Sequence, residues 1–328
     1  MVTPLRIVLL GATGFVGSAI LRRLRQRQER WGTSSVEIRA LVRHDPQRLA
    51  APGITAVHGE LPTIPTSLFF EDPHVVVHFA MKQIDADGSG FHAVNVQGAE
   101  RLAESLPPSC RGVVHGSSVS VYGQGAQEGL SEDAPLGPET ALADSRLRAE
   151  TCLRLAALQR GIGARIFRPR FILGQGDRFT LPGLVALTRR RIRIGSGQQA
   201  FTVIDVDDYA ELVVRACERL ASGKDGVSVL HAGYERPLGF DEITGMLRQR
   251  LALPPPRLRI PANPSFFRVL RWLPGSMAEG LATRLELVGL PHYFDVSRLK
   301  NELAPDLATR DPAAVLSRAI DHLRPQRD

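Results

Sequence analysis

The chain has 328 residues, 43% hydrophobic and 23% charged, which describes an ordinary globular protein long enough to bury a large core. Its net charge of +7 does not indicate nucleic-acid binding, because the basic residues are spread along the sequence and nearly all are arginine, as a GC-rich genome would encode. The cysteines Cys110, Cys152 and Cys217 lack metal-ligand spacing, so we expect reduced thiols, no metal site and a cytoplasmic protein.

The first predicted elements are a strand, a glycine-rich turn and a helix. Leu5–Leu10 is a continuous apolar run typical of a parallel strand covered on both faces, and a helical pattern continues to about Arg30. This apolar stretch is too short to cross a membrane, so we expect no membrane partner. In the intervening GATGFVG, Gly11 allows a tight turn, Gly14 a close approach to a pyrophosphate, and Gly17 close helix packing. The pyrophosphate is expected on the free N–H groups of the helix start, where the predicted contacts include Thr13, Phe15 and Val16.

The second predicted strand, Val36–Val42, ends at a residue that bears on cofactor choice. A carboxylate at this place would bind the 2′-hydroxyl of NAD, whereas an arginine suits the 2′-phosphate of NADP. Arg43 follows the strand directly and predicts NADP(H), with His44 or Arg48 as possible help. An exposed arginine without a ligand is the alternative.

Strands and helices continue to alternate along the chain, which predicts an α/β fold of the Rossmann type, a doubly wound parallel sheet with a smaller C-terminal lobe. The proline-rich stretch 253–265 is predicted to be loop-like. The further predicted strands are Val75–Ala80, Gly112–Ser117 and Ala164–Phe167, and the predicted helices are Ala93–Leu106 and Asp144–Leu158.

Several motifs in order resemble the extended short-chain dehydrogenase/reductase family, which includes nucleotide-sugar epimerases, dehydratases and dihydroflavonol-type reductases. The strand ending RALVR is most similar to the NADP-using reductase branch. The matching motifs are GATGFVG at 11–17, VVHFA at 76–80, NVQGAERL around Asn95, GSSVSVYG at 116–123, RPRFILGQGD at 168–177 and FTVIDVDDYA at 201–210.

This resemblance implies a division of the chain and a set of site residues. Residues 1–175 would form the NADP-binding domain, 200–232 would return to it, and 176–328 would mainly form the substrate-binding lobe for a small molecule. Ser118 falls on the catalytic serine. Family members are often dimers, so a monomer or a homodimer is expected. The implied cofactor contacts are Glu60 and Leu61 near the adenine, Phe79, Ala80 and Met81 along the middle, and Pro169 and Phe171 near the nicotinamide.

The sequence departs from the family where the proton donor should be. In ETALADSRLRAET, residues 139–151, Leu142 replaces the expected tyrosine and Arg146 the expected lysine. None of the four tyrosines has a lysine four positions later, so no other Tyr-x-x-x-Lys exists. Arg146 is expected to hold ribose hydroxyls and supply a fixed positive charge, but with a pKa above about 12 it cannot shuttle protons.

Three functions remain after this loss. The leading one is an atypical NADPH-dependent ketoreductase, similar to atypical polyketide ketoreductases. In it Ser118 donates a hydrogen bond, and an aromatic ketone beside a phenol supplies its own proton. The second is a non-catalytic NADP(H)-binding regulator. The third is a nucleotide-sugar epimerase or dehydratase, in which the basic run 189–195 would meet a diphosphate.

Other polar residues lie near the predicted strand ends and are candidate replacements for the lost donor. His78 and His115 are expected to pack in the core, and Asn95 is expected to be structural. Lys82 follows a strand end and is the better candidate for a proton donor, although a solvated lysine is the simpler interpretation. The direction of Ser120 relative to Ser118 is left open.

Overall fold

The computed structural model describes residues 4–31, 35–49, 51–85, 88–223, 225–272 and 276–323. The strands in these ranges are β1 (Leu5–Leu10), β2 (Val36–Val42), β3 (Ile54–His58), β4 (His74–His78), β5 (Cys110–Gly116), β6 (Gln127–Leu130), β7 (Gly163–Pro169), β8 (Phe171–Leu173), β9 (Ile192–Ile194), β10 (Ala200–Phe201), β11 (Val203–Asp205), β12 (Val227–Ala232), β13 (Leu238–Gly239), β14 (Leu258–Ile260) and β15 (His292–Phe294). The helices are α1 (Phe15–Trp31), α2 (Ser89–Phe91), α3 (Gly98–Ser105), α4 (Ala141–Arg160), α5 (Thr180–Arg189), α6 (Val206–Ala221), α7 (Phe240–Leu251), α8 (Pro264–Trp272), α9 (Ser276–Gly289), α10 (Ser297–Glu302), α11 (Pro305–Ala308) and α12 (Pro312–Asp321).

The chain divides into two compact units, of which the first comprises residues 1–123, 135–168 and 207–230. Within its described part, a seven-stranded sheet has the order β12-β7-β5-β4-β1-β2-β3, and its β1–β2, β1–β4 and β4–β5 pairs are parallel. The order runs one way from β1 to β3 and the other way from β4 onward. In such a sheet the ligand crevice lies at the carboxyl ends of the strands, beside this reversal. The predicted Rossmann-type fold is confirmed.

The core of this unit explains why its strands read as apolar runs. Ile7 to Leu10 of β1 and Val75 to Val77 of β4 are fully buried, because helices cover both faces of the sheet. Under one face, a cluster joins Val8 and Val76 to Leu102 of α3 and Leu153 of α4. This packing fixes the strand ends on which the site is built.

The second unit comprises residues 124–134, 169–206 and 231–328. Its described part contains a four-stranded sheet of order β13-β10-β15-β6 and the two-stranded pairs β11-β8 and β14-β9. Phe171 of β8 packs edge-on against Phe201 of β10, with ring centroids 5.4 Å apart, so an aromatic contact joins these two strands.

Two sequence expectations are corrected. The helix predicted over Ala93–Leu106 is interrupted by a π-helical segment, His92–Gln97, which periodicity alone does not distinguish from an α-helix. The stretch 253–265 is not only a loop, because it contains β14, which pairs with β9, and the start of α8. In the described ranges, no helix combines the length and apolar character needed to cross a membrane.

Candidate functional site

The turn after β1 has little space around its glycines. A Cβ on Gly11, which has φ +93°, would lie 2.6 Å from the backbone of Phe79 and Ala80 at the end of β4. A Cβ on Gly17 would lie 1.9 Å from the Gly11 carbonyl oxygen. Both glycines are therefore required for the turn and for the close packing of α1.

The same turn leaves the start of α1 open. Thr13 and Gly14 are exposed, Phe15 and Val16 are half-buried, and the first turn of α1 has no acidic residue. Unpaired N–H groups and the positive end of the helix dipole form an anion site here. The glycine turn and the start of α1, together called the glycine cradle, thus fit the pyrophosphate of a dinucleotide.

Arg43 and His44 lie exposed after β2. The Arg43 guanidinium meets the Glu60 carboxylate at 3.3 Å, with the side chains 64% and 62% exposed. Such an exposed pair contributes about 0–1 kcal/mol to stability, so a phosphate can displace the carboxylate at small cost. The structure thus places two predicted adenine-side residues in contact.

We expect Arg43→Ala to weaken NADPH binding by about 10- to 100-fold, because it removes a charge-assisted hydrogen bond to the 2′-phosphate. NADH binding should change little. Dissociation constants measured by fluorescence titration check this, with Arg30→Ala as the control because Arg30 is an exposed arginine at the end of α1. Equal losses for NADPH and NADH would refute the role of Arg43.

The residues predicted along the middle of the cofactor follow β4. Phe79, Ala80 and Met81 are half-buried, and the Phe79 ring lies edge-on to Tyr209 at 5.8 Å. Leu61 is buried in the core cluster, so its side chain packs inward beneath the site. Pro169 and Phe171 belong to the second unit, and their place near the nicotinamide stays a prediction.

Ser118 and Arg146 come together after β5 through Ser120. The Ser118 hydroxyl accepts the Ser120 N–H at 3.2 Å, because residues Val119–Tyr122 form a 3₁₀ turn capped by Ser118. The Ser120 hydroxyl accepts from Arg146 Nη1 at 3.2 Å. Because the Ser118 oxygen accepts this bond, its hydroxyl hydrogen can still donate to a ligand. The direction of Ser120, which the sequence does not fix, is toward Arg146.

Arg146 keeps its charge in this position. Desolvation by the surrounding protein lowers the pKa of its guanidinium from 12.5 to about 10, which still leaves it protonated at neutral pH. It therefore provides a fixed positive charge and hydrogen-bond donors, and no proton shuttle.

No tyrosine takes the place of Leu142. Leu142 is half-buried in the first turn of α4, one turn before Arg146. The Tyr122 hydroxyl accepts from Arg168 at 2.7 Å, and Tyr209 is fully buried. In the second unit the Tyr234 hydroxyl accepts from the Asp205 N–H, and the Tyr293 hydroxyl donates to Glu128.

Asn95 and Lys82 are tied to each other and to α4. The Asn95 side chain accepts the Lys82 N–H at 2.8 Å and donates to the Lys82 carbonyl oxygen at 3.0 Å. It also donates to the Ser145 hydroxyl at 2.9 Å. The structural role predicted for Asn95 is confirmed. The Lys82 ammonium is ion-paired with Asp85, so Lys82 is neither the simple solvated lysine nor an unengaged proton donor.

His78 and His115 are packed in the core as predicted. Both are fully buried, and their rings stack on neighbouring strands with centroids 5.1 Å apart. Burial lowers the pKa of His78 well below 6.5 and that of His115 to about 4. Both imidazoles are therefore neutral at physiological pH.

Sequence reasoning missed a buried ion pair between β7 and α4. Arg168 at the end of β7 donates to both carboxylate oxygens of Glu150 on α4, at 2.5 and 3.0 Å. Ser117 donates to the same carboxylate at 2.8 Å. Glu150 and Arg168 are 0% and 2% exposed. The sequence does carry a signal for this pair, because Glu150 lies in the motif at 139–151 and Arg168 in the motif at 168–177.

Comparisons with known proteins agree with this geometry. A model of the NAD dependent epimerase/dehydratase family matches residues 7–230. The chain is similar to a 2-alkyl-3-oxoalkanoate reductase of Stenotrophomonas maltophilia, with 27% identity over 88% of this chain and 86% of the relative. It is also similar to a 3beta-hydroxysteroid-dehydrogenase/decarboxylase of Arabidopsis thaliana, with 26% identity over 71% of this chain. That alignment spans 46% of the plant protein, about half its length.

Solved structures give the same fold. The UDP-glucuronic acid 4-epimerase of Bacillus cereus, solved in complex with NAD, superposes with a TM-score of 0.74 at 18% identity, covering 97% of this chain and 98% of that chain. Likeness at this identity shows the fold alone. Together with the glycine cradle, the family match shows a site for a nicotinamide dinucleotide. The chain belongs to the NAD dependent epimerase/dehydratase family.

Proposed function

We propose that this protein is an NADPH-dependent ketoreductase that reduces a ketone of an aromatic, polyketide-type small molecule, with the proton supplied by the substrate. One observation carries the proposal. The site contains the Ser118 hydroxyl and the Arg146 cation, while Leu142 occupies the position where the family has its proton donor. Such a site can stabilise negative charge on an oxygen but has no acid of its own.

In this proposal each site residue contacts one part of the cofactor or of the substrate. The glycine turn holds the pyrophosphate, Arg43 holds the 2′-phosphate, and Ser118 donates to the ketone oxygen. The reduced nicotinamide, when bound, supplies the hydride. A phenol beside the ketone already hydrogen-bonds its oxygen and can give it a proton, which offsets the roughly 10²–10³-fold loss that removing one oxyanion donor typically causes.

The names of the two curated relatives favour redox chemistry at a C–OH or C=O group. One is a reductase of an oxoalkanoate, and the other is a hydroxysteroid dehydrogenase. Carried over to this chain, they support reduction of a ketone more than rearrangement of a sugar. NADP preference rests on Arg43.

The epimerase or dehydratase alternative is less well supported by the described residues. Epimerisation of a sugar needs a base at the position that Leu142 occupies. In the basic run 189–195, Arg193 pairs with Asp241, and Arg191 donates to the Pro255 carbonyl oxygen at 2.9 Å. Both arginines are therefore engaged within the second unit.

A transfer experiment separates the ketoreductase from a non-catalytic NADP(H)-binding regulator. The protein is incubated with NADPH deuterated at C4 of the nicotinamide and a panel of ortho-hydroxyaryl ketones. We expect deuterium at the carbinol carbon of the product by mass spectrometry. Tight NADPH binding without deuterium in any product would favour the regulator instead.

A further inference from the structure

Arg146 differs from Arg165 and Arg168, the two buried arginines in the described part of the first unit, because no described carboxylate pairs with it. Buried Arg168 pairs with Glu150, and buried Arg165 pairs with Asp225 at 3.1 Å. Among the described residues, the Arg146 side chain has one hydrogen bond, to the neutral Ser120 hydroxyl. The side chain is half-buried, and the surrounding protein desolvates its guanidinium, which is costly without a counter-ion. The site therefore favours a ligand that brings a negative charge.

The groups around Arg146 do not supply this charge. His115 lies close enough to influence it electrostatically and is neutral. Glu150, one turn further along α4, is already bonded to Arg168 and Ser117. Leu142, one turn earlier, is apolar. Arg146 thus has no negatively charged partner among these groups.

The strand order argues that this anion is not a cofactor phosphate. Arg146 reaches Ser120, just after β5, whereas the glycine cradle follows β1 and Arg43 follows β2. Since neighbouring strands lie about 4.8 Å apart, β5 is about 10 Å from β1 and about 14 Å from β2. The predicted sites for the pyrophosphate and the 2′-phosphate follow β1 and β2. The rest of the dinucleotide carries no negative charge that could pair with Arg146 near β5.

We infer that Arg146 binds a carboxylate of the substrate, which is separate from the phenol that supplies the proton, so that the substrate is an ortho-hydroxyaryl ketone that also carries a carboxylate near its carbonyl group. This inference rests on the proposed reduction and adds the charge of the substrate to it. Ser118 and Arg146 would then divide the work, with the hydroxyl on the ketone oxygen and the guanidinium on the neighbouring anion. A planar guanidinium matches a carboxylate in two parallel hydrogen bonds.

Binding to the complex with NADP⁺, in which no ketone is reduced, tests the inference without turnover. The test compares 3-oxo-3-phenylpropanoate with its neutral methyl ester. We expect the carboxylate to bind the wild-type complex about tenfold or more tightly than the ester, as a charge-assisted hydrogen bond provides.

Variants of Arg146 make the test specific. Arg146→Met and Arg146→Gln should each reduce the preference for the anion to about twofold or less, while Arg146→Lys should keep most of it. Arg148→Met is the matched control, because Arg148 is exposed on the same helix and should leave the preference unchanged. Melting temperatures with and without NADP⁺ show which variants are folded, and either neutral variant suffices.

Three results would overturn the inference. They are no preference for an anion in the wild type, a preference that persists in a folded neutral variant, or loss of NADP⁺ affinity in place of anion affinity. The last would show that Arg146 serves the cofactor ribose. None of these results depends on deuterium transfer, so a failed reduction and a failed anion site are distinguishable.

Discussion

Replacing Arg168 with methionine is expected to lower the free energy of unfolding at neutral pH by about 3–5 kcal/mol. The methionine fills similar space but leaves Glu150, which is fully buried, with only the partly exposed Arg154 as a counter-ion, at 3.5 Å. The Tyr122 hydroxyl also loses its donor. Urea unfolding followed by circular dichroism measures the change.

The loss should depend on pH with a defined sign. Burial alone would raise the pKa of Glu150, but the hydrogen bonds and charge of Arg168, with Ser117, hold it below the usual 4.5. A lowered folded pKa adds stability above the unfolded value, and this stability is lost as the pH falls through the folded pKa. In Arg168→Met, the contacts of Glu150 with Ser117 and Arg154 remain, but burial then outweighs them and raises the pKa of Glu150, so stability is lost as the pH rises. The difference between the two proteins should therefore be smallest in acid and grow towards neutral pH.

A matched arginine tests whether burial causes the effect. Arg101 pairs with Glu104 on α3 at 2.8 Å, with the side chains 64% and 62% exposed. Arg101→Met should cost about 0–1 kcal/mol with little pH dependence. If Arg168→Met cost no more than Arg101→Met, the buried pair would not hold β7 and α4 together.

The second large effect is expected at Ser118. In the proposed function the Ser118 hydroxyl donates to the ketone oxygen, so Ser118→Ala should lower the turnover number by about 10²–10³-fold. NADPH affinity should stay within about twofold, because the proposed contacts with the pyrophosphate and the 2′-phosphate follow β1 and β2. Stopped-flow oxidation of bound NADPH with saturating ketone measures the rate.

Two further variants separate chemistry from folding at this position. Ser118→Thr keeps a hydroxyl and should retain much more activity than Ser118→Ala. Ser105→Ala, at an exposed serine at the end of α3, should behave as the wild type. Unchanged turnover in a folded Ser118→Ala variant would rule out a hydrogen bond from Ser118 to the ketone.

The first part of the fold follows closely from the sequence. A continuous apolar run predicted β1, because a strand buried on both faces needs such a run, and the predicted bounds of both β1 and β2 match the observed ones. The glycine spacing predicted the turn, because a Cβ at Gly11 or Gly17 meets backbone within 2.6 Å. The positions of His78 and His115 in or at predicted buried strands likewise predicted that both lie in the core.

Other features depend on contacts between distant parts of the chain, which periodicity does not encode. The π-helical segment at 92–97 brings the Asn95 side chain to Lys82 and Ser145, which are distant from it along the sequence. The pairing of Arg168 with Glu150 needs β7 beside α4. The ion pair of Arg43 with Glu60 likewise depends on the tertiary structure.

Proton supply by the substrate is tested most directly by comparing the wild type with the double variant Leu142→Tyr/Arg146→Lys, which restores the family pair. Each protein is given deuterated NADPH with an ortho-hydroxyaryl ketone and, separately, with the methyl ether of that ketone. We predict that the wild type transfers deuterium to the phenol and hardly at all to the ether, because only the phenol brings an acid. The contrary result is a wild type that reduces neither compound and gains turnover of the phenol only through the double replacement.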